Sequence, residues 1–345
     1  MTTFNFNTLC AGRSLTTEES QALFTQVFEG KIDPALLAGI LTALKIKGET
    51  PEEIEGAARA MVAAAAHFPR PRGVEVGEIV GTGGDGMKTI NVSTTTALLA
   101  AAAGLKIAKH GNRGVSSPTG ASDLLTALGV DIRLTPDESA QLLDATGFCF
   151  CFAQLYHPAM RFVRAALKTR TIFNILGPLT NPAHPDYALI GVYSPDLLET
   201  VAQTLRLLGV KRAYVVHGSG LDEAAVHGTT EIAELKEDGT IERSTLTPAD
   251  LGAKRLYSIE EIKGGAPADN ALITEAILAG KGTEAQQAFV TANLALLLKI
   301  GGLAKSLPEA VELARRTMAS GKGLEVLNAH RAYAASHTAS SQKAA

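Results

Sequence analysis

The sequence predicts an α/β protein in two parts: a small all-helical domain, then a large α/β domain with a mostly parallel central sheet. Three features predict it. Capped helices with no strand between them fill the first fifth, Pro69 and Pro71 then interrupt the chain, and short β-rich runs alternate with helices beyond. A length of 345 residues also suits roughly two domains.

Thr16 and Glu19 spell a capping box ahead of Leu23, Phe24, Val27 and Phe28, and Gly30 stops that helix. Asp33-Pro34 opens the second helix, where Leu36, Leu37, Ile40, Leu41 and Leu44 recur at helical spacing until Gly48. Thr50-Pro51 with Glu53 opens the third, which runs through Met61 to about Ala66. His67 to Gly73 is a linker, because its prolines forbid helix and weaken a strand. Ile79-Val80 then ends a strand, Thr94 to Ala103 is a helix, and Leu105 to Ala108 is the next strand. Thr135-Pro136 with Glu138 caps a helix, and Phe148 to Phe152 is a strand with Cys149 and Cys151 on one face as core. Ser194-Pro195 opens a helix closed by Gly209, and Ala213 to Val216 is a strand. Helices around 272–278 and 286–300 complete the packing, and the small polar residues of 335–345 predict a frayed tail.

Composition narrows the function. Hydrophobic residues make up 46% and charged residues 19%, which supports a packed core and excludes disorder. A net charge of −3 leaves no cationic excess to hold nucleic acid. Cys10, Cys149 and Cys151 are too few for a disulfide framework, so a reducing cytoplasm is expected. The polar start Met1 to Asn7 predicts no secretory signal, and the longest apolar stretch, Thr96 to Gly104, is far below the roughly 20 residues that span a bilayer.

The chemistry concentrates in two loops at the carboxyl ends of strands, where open α/β sheets bind ligands. The first, Gly81-Thr82-Gly83-Gly84-Asp85-Gly86, can wrap its backbone around an anion, because glycine reaches positive φ and brings N–H groups close. The following helix start near Ser93-Thr94 adds a positive dipole end, and Thr89, Ser93, Thr94 and Thr95 add hydroxyls. The loop contains G-x-G-x-x-G, yet no acidic residue stands about 20 positions on to hold a ribose, which argues against a dinucleotide fold. Met87 stands where a P-loop requires lysine. Phosphate binding remains without either motif. The second loop, Lys109-His110-Gly111-Asn112-Arg113-Gly114-Val115-Ser116-Ser117, packs cations, an amide, an imidazole and hydroxyls together. Lys109 and Arg113 can neutralise phosphate charge, and Ser116 and Ser117 can donate to it.

These loops, with Asn91-Val92-Ser93-Thr94, Gly120 and Asp123, the run Arg170 to Pro182, and Asp222-Glu223, resemble the anthranilate phosphoribosyltransferase family in order and spacing over nearly the whole chain. The resemblance implies a nucleoside-phosphorylase-like fold. Its helical, dimerisation domain would be 1–68 plus about 169–188, and its α/β domain 74–168 and 189–334. It implies transfer of a phosphoribosyl group from phosphoribosyl pyrophosphate to anthranilate, in tryptophan biosynthesis, by a homodimer. Gly81, Gly84, Asp85, Thr89, Asn91, Val92, Ser93 and Thr94 would hold the sugar phosphate and pyrophosphate, with Lys109, His110, Gly111, Asn112, Arg113, Gly114, Val115, Ser116 and Ser117 closing over them. Magnesium would lie between the pyrophosphate and Ser93, Asp222 and Glu223, a donor set that suits a hard cation. Asn112, with Gly81 nearby, and Arg164 would bind anthranilate, the guanidinium facing its carboxylate.

The sequence departs from the family pattern in places. About three residues are missing ahead of Arg164, enough to rotate a helix by most of a turn, so Arg161 is the alternative contact. Ala121 stands where relatives often carry a serine near the ribose phosphate, and Thr119 is the neighbour placed to compensate. Two other functions share this architecture: a pyrimidine nucleoside phosphorylase, which is not expected to carry Lys109 to Arg113, and a nucleic-acid-binding relative with decayed loops and a basic groove.

Overall fold

The computed structural model describes residues 6–114, 119–163 and 169–344. Helices α1 (Phe6–Cys10), α2 (Thr17–Phe28), α3 (Pro34–Lys47) and α4 (Pro51–Ala63) come first. Thr16 and Thr50 form reciprocal caps with Glu19 and Glu53, and Asp33 caps α3 ahead of Pro34. Glu53 also fastens helices together. Its buried carboxylate accepts from Leu15 N at 2.9 Å and pairs with Lys47 at 2.8 Å, so the entry to α2 and the end of α3 are held against α4.

Beyond the linker come β1 (Gly77–Gly81), α5 (Val92–Ala102), β2 (Ile107–Gly111), α6 (Ala121–Ala127), α7 (Pro136–Thr146) and β3 (Phe148–Phe152). Then follow α8 (Ala153–Tyr156), α9 (Phe173–Leu179), β4 (Tyr187–Gly191), α10 (Leu197–Leu207) and β5 (Arg212–His217). A hairpin of β6 (Thr230–Leu235) and β7 (Ile241–Leu246) precedes α11 (Pro267–Leu278), α12 (Glu284–Ile300), α13 (Leu307–Ala319) and α14 (Lys322–Ala344). The strands make one seven-stranded sheet in the order β3-β2-β1-β4-β5-β6-β7. From β3 to β5 every pairing is parallel, and β6 and β7 add antiparallel strands, so the sheet is mostly parallel as the sequence predicts.

Side-chain alternation decides which layer each strand serves. Phe148, Phe150 and Phe152 enter the main core with α5 and α12, while Cys149 and Cys151 turn to the other face among Phe68, Val76, Ala108 and Tyr156. A further core joins Leu23, Ile40 and Ile54 of the helical unit to Ile175 and Leu176 of α9 and to Ile190, Val201 and Val215. Apolar packing is thus continuous from α2–α4 to the sheet.

Several elements escaped the sequence reading. Strand β7 reads Ile-Glu-Arg-Ser-Thr-Leu, with its central residues exposed; pairing with β6 holds it in place, with Arg243 bonded to Glu231 at 3.2 Å and Lys236 to Glu242. Helix α14 runs from Lys322 to Ala344, with Leu327 and His330 buried in its first half. Among the described residues no helix is long and apolar enough to cross a membrane.

His330 makes this last helix acid-sensitive. Its ring is buried against Phe148, with Nε2 3.0 Å from Thr146 Oγ1, and burial pushes its pKa from 6.5 down to about 4. The unfolded chain therefore binds a proton between those values that the folded chain refuses, and stability present above pH 6.5 is lost as the pH falls toward 4. The full loss is about 3 kcal/mol from the shift of 6.5 to about 4. Melts of His330→Gln are expected to show a shallower decline over this window than the parent; identical slopes would refute the assignment.

Candidate active site

Chain order reverses at β1, with β2 and β3 on one side and β4 and β5 on the other, so a crevice opens at the carboxyl ends of the central strands. The glycine loop leaves β1 at this crevice. Gly83, Gly84 and Gly86 hold φ of 71°, 83° and 75°, the left-handed region that a Cβ disfavours. The chain from loop to helix is tied down as well: Gly264 N donates to Lys88 O at 2.9 Å and Ile90 N to Ile262 O at 3.0 Å. Helix α5 then starts at Val92; Ser93 shares the crevice with Gly81, Asp222 and Glu223, while Thr94 is buried. Asn91 Nδ2 donates to Thr119 O at 3.0 Å, and its buried Oδ1 has no partner.

Asp85, Asp222 and Glu223 bring carboxylate oxygens within 4.8 Å of one another. Two glycines make this possible. A Cβ on Gly191 would lie 1.4 Å from Asp222 O, and one on Gly218 would lie 2.2 Å from Glu223 O, so the acidic turn is clamped where only hydrogen fits. Asp222 Oδ2 accepts from Gly83 N at 2.6 Å and thereby ties the acidic turn to the glycine loop. Burial, then repulsion from Asp85, raises the Asp222 pKa from 3.8 to about 6. Burial and the charges of Asp222 and Asp85 push Glu223 well above the carboxylate range, and its buried Oε2 has no hydrogen-bond partner. Crowded, desolvated carboxylates with an unused oxygen fit a hard divalent cation.

Lys109 and His110 lie within β2, which continues to Gly111, so the expectation that they belong to a covering loop is corrected. Both are buried, and strand alternation sends them to opposite faces. Lys109 Nζ donates to Ile79 O at 2.6 Å, beneath the glycine loop, and burial lowers its pKa. His110 Nδ1 is 3.0 Å from Gly177 O, and burial pushes its pKa down to about 3, so the ring is neutral near pH 7. Asn112, Arg113 and Gly114 are exposed past the strand end, and Asp123 Oδ2 accepts from both Gly114 N and Gly120 N at 2.9 Å. That carboxylate pinches the base of the loop between them. Ala121, half-buried, opens α6 with its Cβ toward Gly111. Val115, Ser116, Ser117 and Arg164, and the Arg161 side chain, lie outside the described residues.

A family profile described as the glycosyl transferase family a/b domain matches residues 74–324, and its helical bundle domain matches residues 6–65. An anthranilate phosphoribosyltransferase of Tolumonas auensis is 55% identical over 94% of this chain and 96% of its own length. The chain belongs to the anthranilate phosphoribosyltransferase family. The Aeromonas hydrophila relative is 53% identical over 93% of this chain and 94% of its own. Among solved structures, the Thermus thermophilus anthranilate phosphoribosyltransferase superposes with a TM-score of 0.90 at 40% identity, covering 95% of this chain and 98% of that one. The Saccharomyces cerevisiae anthranilate phosphoribosyltransferase in complex with PRPP and Mg gives 0.86 at 28%, covering 96% and 97%.

In this member of the anthranilate phosphoribosyltransferase family, the fold gathers Gly81, Asp222, Glu223 and Ser93 around one crevice. Asp85 joins the acidic group as a third carboxylate, beyond the expected metal set of Ser93, Asp222 and Glu223. Nothing local marks it, because the turn that completes the cluster comes from beyond β5. Arg170 was also unassigned. Its guanidinium stacks 3.8 Å over the Tyr193 ring and donates to Gly84 O, so the segment before α9 leans on the glycine loop.

Proposed function

We propose that the chain transfers the phosphoribosyl group of 5-phosphoribosyl 1-pyrophosphate to the amine of anthranilate, releasing pyrophosphate. The observation that carries this reading is the Asp85, Asp222 and Glu223 cluster, in which buried Asp222 bonds to the glycine loop between β1 and α5. Loop N–H groups, with the hydroxyls of Thr89 and Ser93, hold phosphate oxygens, and Asn112 and Arg113 meet them from the other loop. Magnesium, held by Ser93, Asp222 and Glu223 with Asp85 beside them, supplies the charge that stabilises departing pyrophosphate. Asn112 and Arg164, or Arg161 in its place, orient anthranilate so that its amine meets the ribose C1 from the opposite face. An aniline-type nitrogen is unprotonated near pH 7, so fixed electrostatics and alignment suffice without a strong base.

Residues 1–68 with 169–188 serve as the dimerisation domain in this reading. An open apolar groove between α1 and α3, lined by Leu9, Ala38, Gly39, Thr42, Ala43 and Ile46, supports it, with Ile46 81% exposed. The free thiols Cys10, Cys149 and Cys151 support a cytoplasmic location. One assay tests the activity: anthranilate fluorescence is expected to disappear only when phosphoribosyl pyrophosphate and magnesium are both present. Phosphate-dependent release of a base, or salt-sensitive DNA retention with neither activity, would overturn it.

A further inference from the structure

Strands β1 and β2 are paired at a single register position, Gly77 with Ile107, whereas β2–β3, β1–β4 and β4–β5 each pair over five. Above Gly77 the backbone groups that would continue the ladder bond to side chains instead. Ile79 N donates to Glu78 Oε1 at 2.9 Å and His110 N to Glu78 Oε2 at 2.8 Å. Asn181 Nδ2 donates to Ala108 O at 2.7 Å and also to Glu78 Oε2. Lys109 Nζ takes Ile79 O at 2.6 Å. Asn181 is in turn fixed by Ala183 N, which donates to its Oδ1 at 2.9 Å. Glu78, Lys109, His110 and Asn181 are all buried, so water does not substitute for these bonds.

A carboxylate and an amide therefore occupy the seam between two parallel strands, at the level from which both substrate loops depart. Continuous pairing would set the strands about 4.8 Å apart and bring the two loops together. We infer that Glu78 and Asn181 form a wedge that spaces the glycine loop from the Asn112–Gly114 segment at the end of β2 to the width of the phosphoribosyl pyrophosphate donor, making them positioning residues for that substrate. The inference rests on the transfer reaction proposed above. Neither residue touches the crevice itself. They act through the backbones of Ile79, Ala108 and His110; burial pushes the Glu78 pKa up to about 7 even with the Lys109 charge, the His110 amide and Asn181 all favouring the carboxylate.

Glu78→Gln keeps the volume but removes the charge and leaves a buried N–H without an acceptor. The Michaelis constant for phosphoribosyl pyrophosphate is expected to rise about tenfold, roughly 1.4 kcal/mol, while that for anthranilate stays within about twofold. Asn181→Ala, which strips Ala108 O of its donor, is expected to shift the same constant in the same direction, and Glu78→Asp, which keeps the charge, to recover most of it. A structural role alone would lower the melting temperature and leave the ratio of the two constants unchanged; that result, in Glu78→Gln or, if it does not fold, in Asn181→Ala, overturns the wedge. Failure of the parent chain to consume anthranilate with the donor would instead overturn the reaction, so the two failures are distinct.

Discussion

Asp222→Asn is expected to lower kcat/KM for phosphoribosyl pyrophosphate by about 10²- to 10³-fold while raising the melting temperature at neutral pH. The variant keeps the shape of the side chain, and its amide oxygen still accepts from Gly83 N, so the glycine loop stays attached. What it removes is charge, and that charge has opposite value in the two settings. With donor and magnesium bound, as in the proposed reaction, it would be one of the few carboxylates available to hold the cation. Without them, it is a desolvated anion facing Asp85 and Glu223. The rise of its pKa from 3.8 to about 6 corresponds to a folding penalty of about 3 kcal/mol at most. The sign fixes the pH window. Because the folded pKa is raised, the penalty is complete above about pH 6 and absent below 3.8, so the stability gain should appear at pH 7 to 8 and vanish near pH 4. Activity assays and melts at both pH values decide it; retained activity, or a lower melting temperature at pH 7, would contradict the role assigned to this carboxylate.

A second large effect is expected at Gly191, where the added methyl of Gly191→Ala would sit 1.4 Å from Asp222 O and 2.3 Å from Asp222 C. These are backbone atoms, so no rotamer change relieves the clash; either β4 or the acidic turn must move. Overpacking of this kind reaches roughly 3 kcal/mol, which for a chain of this size lowers the melting temperature by about 4 °C. Gly177→Ala is the control, since its Cβ would meet nothing within 4 Å. A small change in the first and none in the second is the outcome that fails. Any Gly191→Ala protein that does fold is expected to bind magnesium weakly, because the turn carrying Asp222 and Glu223 has been displaced.

What was legible in the sequence was local. The caps at Thr16, Asp33, Thr50 and Thr135 involve residues two or three apart, and all of them recur in the structure. The glycine loop was legible because left-handed backbone has few tenants. Asp222-Glu223 was read only through family resemblance, since two adjacent acids look like any exposed turn until Gly191 and Gly218 close on them. Lys109 and His110 were misplaced because the apolar run ends at Ala108 while the strand does not: these polar residues are buried, with Lys109 Nζ bonded to Ile79 O and His110 Nδ1 to Gly177 O from elsewhere in the chain. Glu78 had no signal at all. A lone acid in an apolar strand becomes intelligible only beside the His110 amide and Asn181.

The hairpin that closes the sheet beyond β5 has a consequence for how copies of this chain meet. Strand β7 exposes Glu242, paired with Lys236 of the hairpin turn, and Arg243, paired with Glu231 of β6, and charged side chains on an outermost strand discourage a foreign strand from zipping on. At the opposite border β3 is wholly buried, roofed by α7. With neither border open to backbone-to-backbone growth, the protein is protected from runaway fibre formation, and self-association is left to faces where side chains, and thus sequence, choose the partner.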